Sequence, residues 1–217
     1  MSLTLFIANK AYSSWSLRPF ILMRHFGVAF DEIAIALGQE TTRADILKYS
    51  PSARCPALID GDLVIWDSLA IIEYVAEKFP HLPVWPRERA ARAVARSLAA
   101  EMHSGFQPLR AHLPMNMRRA VKRRDLTPEV LADVARLEIA WSDARERFGA
   151  GGDFLFGDFC AADAMFAPVV SRLYIYDAPV SAASRAYMEA VMALPAYQDW
   201  RKGAAAETWR IAKYEEV

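Results

Sequence analysis

Two cysteines in 217 residues, Cys55 and Cys160, are too few for a disulfide framework, and their spacing matches no metal-binding pattern. Neither sign of charge is in excess, because 26 Lys and Arg balance 26 Asp and Glu. A neutral chain has no global field to draw it to nucleic acid or to an anionic membrane. No apolar run approaches the ~20 residues a spanning helix needs. No basic leader with an apolar run and small-residue cleavage site opens the sequence. Together these absences lead us to expect a soluble cytoplasmic protein with neither metal, membrane nor nucleic acid among its partners. Nine glycines and twelve prolines leave no low-complexity tract, and no internal repeat is visible. What is abundant is apolar material, 54% of the chain, enough for a substantial core in one large domain or two small ones. The charge balance breaks locally at Arg118–Arg124, RRAVKRR, which reads first as a solvated connection and second as an anion-binding segment.

The first 80 residues alternate between strand and helix patterns. Ser2–Ala8 is β-prone. Ser16–Gly27 is helical, with Leu17, Phe20, Ile21 and Phe26 near one face and Gly27 as its C′ residue. Pro19 fits that helix if Ser16 lies near the N-cap, since first-turn amides lack intrahelical partners. Ala29–Leu37 is a second strand, and Thr41–Tyr49 a short helix capped by Thr41 or Thr42. Pro56–Trp66 is a hairpin around Asp60-Gly61. Asp67–Phe79 is a helix with an Asp or Ser cap. Residues 1–80 therefore read βαβαββα, and the proline-rich residues 81–86 read as a linker.

Residues 87–217 show no strand pattern and read as an all-α domain. A long helix from Arg87 to about Leu113 bends at Gly105 or Pro108. Thr127 caps a helix with Pro128 at N1 that runs to Phe148, where Gly149–Gly152 stop it. Ala161–Tyr174, Ala182–Met192 and Ala196–Lys213 follow as further helices.

Three short stretches carry polar groups suited to binding. Ser13 and Ser14 stand at a helix start, where a hydroxyl and the helix dipole can stabilise a thiolate, the reactive form of a thiol whose ordinary pKa is about 8.5. Taken alone, they are also ordinary caps. Cys55-Pro56 opens a strand, and a cis bond there would present the Cys55 amide and carbonyl to an extended peptide-like ligand. An ordinary edge-strand proline is the alternative. Asp67-Ser68 begins a helix whose free amides suit a carboxylate, with plain capping as the alternative. No cysteine lies between Tyr12 and Ser16, which disfavours disulfide reductase chemistry.

In order and spacing these stretches resemble the cytosolic glutathione transferases. Ser13-Ser14-Trp15-Ser16-Leu17-Arg18 resembles S-S-x-S-x-R before helix 1. Cys55-Pro56-Ala57-Leu58 resembles x-P-x-L before strand 3, and Asp67-Ser68-Leu69-Ala70-Ile71-Ile72-Glu73-Tyr74 the start of helix 3. Phe154–Pro168 is similar to the signature of the family's second domain, and Gly105-Phe106-Gln107-Pro108-Leu109 to the G-x-Q-P-L of its zeta class. The resemblance spans nearly the whole chain.

The resemblance implies a thioredoxin-like glutathione-binding domain (1–80) and an all-α domain (87–217) forming the acceptor pocket. It implies a homodimer and glutathione as co-substrate without a metal. Ser13, with Ser14 as the fallback, would donate to the glutathione sulfur beside Trp15. Cys55 would pair its backbone with the cysteinyl part, with Pro56 cis. Asp67 would meet the γ-glutamyl amine, Ser68 its carboxylate, and Arg54 the glycyl end. Gln107 would reach in from the second domain. His103, Phe106, Arg110, Met115 and Arg172 are the acceptor-pocket candidates. The activity implied is attack of the thiolate on a small electrophile. The alternatives are a maleylacetoacetate isomerase, with Arg110 and Arg172 taking a dicarboxylate, and a non-catalytic interaction protein on the same fold.

The chain also departs from the family pattern. Trp15 replaces the zeta-class Cys, which counts more against isomerase than against glutathione binding. Cys55 replaces a usual Val, and is either a packed small hydrophobe or the site of a mixed disulfide with glutathione. Cys160 replaces a capping Ser or Thr, at an expected cost of ~1 kcal/mol.

Overall fold

A computed structural model describes residues 2–216. The first half is a four-stranded mixed sheet in the order β2-β1-β3-β4. Strand β1 (Leu3–Ala8) pairs parallel with β2 (Phe30–Ile35) and antiparallel with β3 (Ala57–Asp60), which pairs antiparallel with β4 (Leu63–Ile65). Alternation of side chains along β1 assigns its two faces. Leu3, Leu5 and Ile7 join the main core beneath helices α1 (Ser14–His25) and α3 (Ser68–Lys78). Phe6 points the other way, into a small cluster with Ile46 of α2 (Thr42–Leu47) and Ala57. The arrangement is the thioredoxin-like sheet domain expected from the βαβαββα pattern.

The rest of the described chain is helical: α4 (Arg89–Ser104), α5 (Gln107–His112), α6 (Pro128–Phe148), α7 (Ala161–Ile175), α8 (Ala182–Ala193), α9 (Pro195–Ala206) and α10 (Ala212–Glu215). Helix α7 is buried nearly throughout. It packs on α1, α4 and α8, so one apolar core runs from the sheet into the helices. At its start the Asp163 carboxylate accepts from the Leu155 and Cys160 amides at 3.2 and 2.9 Å. Asp163 and Cys160 form a capping box, the Asp163 carboxylate taking the Cys160 amide and the Cys160 side chain facing the Asp163 amide. Burial pushes the Asp163 carboxyl up to about 6.

Several boundaries differ from the sequence reading. Helix α1 begins at Ser14 with Ser13 as N-cap, so Pro19 lies inside it rather than in its first turn. Its missing N–H leaves the Trp15 carbonyl out of the helical ladder. The hairpin turn is Gly61-Asp62, with Gly61 at φ +61, because Asp60 still pairs with Leu63. The long helix after the linker is two helices, broken at Gly105 and Phe106, the latter at φ +59. The last predicted helix stops at Ala206. There Glu207 turns aside and its carboxylate accepts from the amides of Lys10 and Ala11, at 2.6 and 3.0 Å.

The basic run Arg118–Arg124 lies in the connection between α5 and α6, as expected: residues 120–123 are exposed, while the run is anchored toward both ends. Arg118 donates to the Glu207 and Trp209 carbonyls and to the Tyr12 hydroxyl. The amides of Lys122 and Arg124 bond the carbonyls of Ile175 and Tyr176 at the end of α7. No helix among the described residues is long and apolar enough to cross a membrane.

Candidate active site

The turn from β1 into α1 holds both serines. The amides of Tyr12 and Ser13 bond the Asn9 carbonyl, and the Asn9 side-chain oxygen accepts from the Leu37 amide at 2.6 Å. Ser13 is tied down as the helix cap. Its Oγ accepts from the Ser16 amide at 3.3 Å and donates to the Ser16 Oγ at 2.8 Å, which also accepts from the Ala8 amide. Ser14 is bound differently. Its Oγ accepts from Nη2 of Arg172 at 2.7 Å and directs its proton to Met115 Sδ at 3.7 Å, a weak acceptor. Both serines are buried and line a cavity of about 540 Å³, with Tyr12, Arg110, Met115, Arg172, Lys213 and Tyr214 around it.

A second cavity of about 630 Å³ adjoins the first, with Trp15 and Cys55 in both walls. Arg54, Cys55, Pro56, Asp67, Ser68 and His103 line it. The Cys55-Pro56 bond is cis. One Asp67 oxygen caps α3 by accepting from the Leu69 and Ala70 amides at 3.0 and 3.4 Å, and the other faces His103. The Ser68 hydroxyl is buried and has no partner among the described residues.

Trp15 separates the cavities and lies among cations. The Arg18 guanidinium stacks at 4.3 Å from its ring centre and that of Arg110 at 4.9 Å, while His103 meets its edge at 5.2 Å. Arg18 is buried, and its Nε and Nη1 lack partners among the described residues. Burial pushes its pKa well down; Arg110 and Arg172 push the same way and Asp67 opposes them. Arg172 is lowered to about 10, by burial first and by Arg110 second. Burial raises the Cys55 thiol to about 11, so it is protonated near neutrality.

Of the residues singled out from sequence, Ser13, Ser14, Arg110, Met115 and Arg172 share the smaller cavity. Arg54, Pro56, Asp67, Ser68 and His103 share the larger one. His103 therefore lies on the Asp67 side and not with the other acceptor candidates. Gln107 and Phe106 line neither cavity. Gln107 is exposed and donates to the Ser104 carbonyl, and Phe106 packs in the main core. Sequence reasoning missed Tyr12, Lys213 and Tyr214. The Tyr12 hydroxyl bonds the Glu215 carboxylate and accepts from Arg118 and the Ile211 amide, so the final segment folds back over the serine turn. Only a marker of where the last helix breaks could have revealed that return, and Glu207 carries none in its local sequence.

A thioredoxin-like sheet with an α-helical second half, and paired cavities at its helix starts, defines the glutathione transferase fold. Residues 12–78 match the profile described as "Glutathione S-transferase, N-terminal domain". The chain is 31% identical over 202 residues to Glutathione S-transferase Z1 of Arabidopsis thaliana, covering 88% of this chain and 90% of that protein. It is also 31% identical over 100 residues to a probable maleylacetoacetate isomerase of Caenorhabditis elegans, covering 46% of each. Among solved structures, a glutathione transferase homolog from Burkholderia with bound glutathione superposes with a TM-score of 0.72 at 24% identity, covering 95% of this chain and all of that one. The chain belongs to the glutathione S-transferase family, and its relatives include the zeta-class proteins that its motifs resemble.

Proposed function

We propose that the protein is a glutathione transferase in which the thiolate of glutathione attacks a small electrophile. The observation that carries this reading is the pair of adjoining cavities with Cys55 and Trp15 at their junction. In it, glutathione lies along the larger cavity. The Cys55 backbone pairs with its cysteinyl part, the unpartnered Ser68 hydroxyl at the N-terminus of α3 takes the γ-glutamyl carboxylate, and Arg54 takes the glycyl end. The sulfur then reaches the smaller cavity at the N-terminus of α1, where the dipole favours negative charge. The family motif points first to Ser13 as the hydroxyl on the sulfur. The bonding pattern favours Ser14, because the Ser13 proton is already held by Ser16. Gln107, exposed and bonded to its own helix start, has no part in this reading.

The division of labour is residues 1–80 for glutathione and 87–217 for the acceptor, joined by 81–86. The protein is proposed to work as a cytoplasmic homodimer. Two free thiols suit a reducing compartment, and exposed Leu63, Trp66 and Ile139 are apolar surface a second copy would cover. The isomerase reading has Arg110 in its support, whose Nε is buried without a partner among the described residues at the smaller cavity. Calorimetry with glutathione, followed by turnover of an activated haloarene and of maleylacetoacetate, tests these readings. Binding with haloarene turnover supports the transferase, and binding with turnover of maleylacetoacetate alone supports the isomerase. No binding leaves a non-catalytic protein.

A further inference from the structure

We propose that Arg172 is a positioning residue for the thiol chemistry: it fixes Ser14 so that the serine proton points into the cavity, and its charge, acting through that hydroxyl, favours the thiolate form of glutathione. The inference rests on the glutathione reading above.

Arg172 comes from α7, 158 residues away from Ser14 in the chain. Its guanidinium donates to three fixed acceptors. Nε donates to the Leu113 carbonyl at 2.8 Å, Nη1 to the Pro168 carbonyl at 3.2 Å and Nη2 to Ser14 Oγ at 2.7 Å. A planar group held on three sides has one orientation. Two of those acceptors are backbone carbonyls, and three of the five guanidinium N–H donors are used.

The consequence for Ser14 follows from counting its bonds. A hydroxyl has one proton and two lone pairs. The Arg172 N–H occupies a lone pair, so the proton must point elsewhere, and the partner it meets is the Met115 thioether at 3.7 Å. A thiolate is a far stronger acceptor and would take that proton's place on the sulfur. Ser13, its proton bonded to Ser16 and with no cation on its oxygen, is not poised in this way. A hydroxyl that accepts from a cation is a better donor, because the two bonds polarise one another.

The burial of Arg172 points the same way. Its guanidinium is buried, and among the described residues it makes no ion pair. Burying a charge without a counter-charge is costly. Among the described residues no carboxylate lines the smaller cavity, whose other titratable or charged groups are Tyr12, Cys55, Arg110, Lys213 and Tyr214. Arg18 lies behind Trp15, and Tyr176 sits one turn beyond Arg172 on the same helix. A bound thiolate supplies the missing negative charge. The thiol proton leaves to solvent, Ser14 keeps its own, and no bond to the protein forms.

The test is a titration. The thiolate absorbance of bound glutathione is followed against pH in the wild type, Arg172→Gln and Arg172→Lys. Arg172→Gln is expected to raise the thiol pKa by about one unit, a tenfold loss of thiolate below that pKa. In parallel kcat/KM falls about tenfold at low pH and returns to the wild-type value above the thiol pKa, while glutathione affinity at low pH changes little. Arg172→Lys recovers part of the shift. An unchanged thiol pKa in a folded Arg172→Gln variant overturns the proposal and leaves the glutathione reading intact. If that variant does not fold, Ser14→Ala replaces it, since removing the coupling hydroxyl must also raise the thiol pKa; no rise there overturns the proposal. Failure of the wild type to bind glutathione in calorimetry overturns both.

Discussion

Nε2 of His103 lies 2.9 Å from Oδ2 of Asp67. That contact joins α4 of the helical half to the cap of α3 across the rim of the larger cavity. Asp67 thus has one oxygen committed to its helix and one to His103, which sets where its charge sits relative to a bound γ-glutamyl group.

His103→Ala is expected to raise the KM for glutathione by roughly three- to tenfold with little change in kcat. Stability should change by less than about 1 kcal/mol, because a polar side-chain contact this exposed contributes little. Steady-state kinetics and thermal melts of the variant check both parts. An unchanged KM means that Asp67 is oriented by its capping bonds alone.

The two serines are expected to separate on mutation. Ser13→Ala removes a helix cap and should cost about 1 kcal/mol of stability. Its kcat/KM should fall by less than tenfold. Ser14→Ala removes the hydroxyl that Arg172 holds and should lower kcat/KM by about a hundredfold, in the range for loss of one charge-stabilising donor. Kinetics at a single pH, with melting curves alongside, distinguish the two. A larger activity loss in Ser13→Ala would restore the order the motif suggests.

Cys55 should be inert as a nucleophile. Its thiol is raised to about 11 by burial, so only about one part in a thousand is thiolate at pH 8. Alkylation by iodoacetamide is expected to be slow in the native protein and fast after unfolding, and Cys55→Val should keep most activity. The raised value also has a sign for stability. The unfolded thiol ionises first as pH rises past about 9, so stability is full below that value and declines toward 11. Rapid formation of a mixed disulfide with oxidised glutathione at pH 7 would contradict this.

What could be read from the chain follows from how local each signal is. The strand-helix alternation of the first 80 residues, the Thr127-Pro128 helix start and the Asp67-Ser68 cap are encoded within a few neighbouring residues, and all appear where expected. The Ser13–Arg18 motif falls at the candidate cavities, because its residues are contiguous. Features set by partners far along the chain were not legible. Arg172 was singled out as an acceptor-pocket residue and does line the smaller cavity, but its bonds to Leu113 and Ser14 were not readable from local sequence. Helical spacing put His103 in the acceptor pocket, while its ring meets Asp67 at the larger cavity. The end of α9 is of the same kind, since a periodic helix pattern continues past Ala206 and only the unbonded amides of a distant turn draw Glu207 away.

That turn supplies the last prediction. Both oxygens of Glu207 are used on the Lys10 and Ala11 amides, and Arg118 holds the Glu207 carbonyl at 2.6 Å. The residues that follow carry Lys213 and Tyr214 into the wall of the serine cavity. Glu207→Ala leaves two backbone donors without their acceptor, a loss of about 1–3 kcal/mol where they stay dry. For a chain of this size that corresponds to a melting point lower by roughly 2–10 °C. Releasing the strap should also open the cavity, so the KM for the electrophile should rise while glutathione affinity, set by the other cavity, holds. Glu207→Gln keeps one acceptor and should fall between. Melting curves and the two separate binding constants check this, and equal losses in both constants would mean that the strap supports the whole turn and not the acceptor cavity alone.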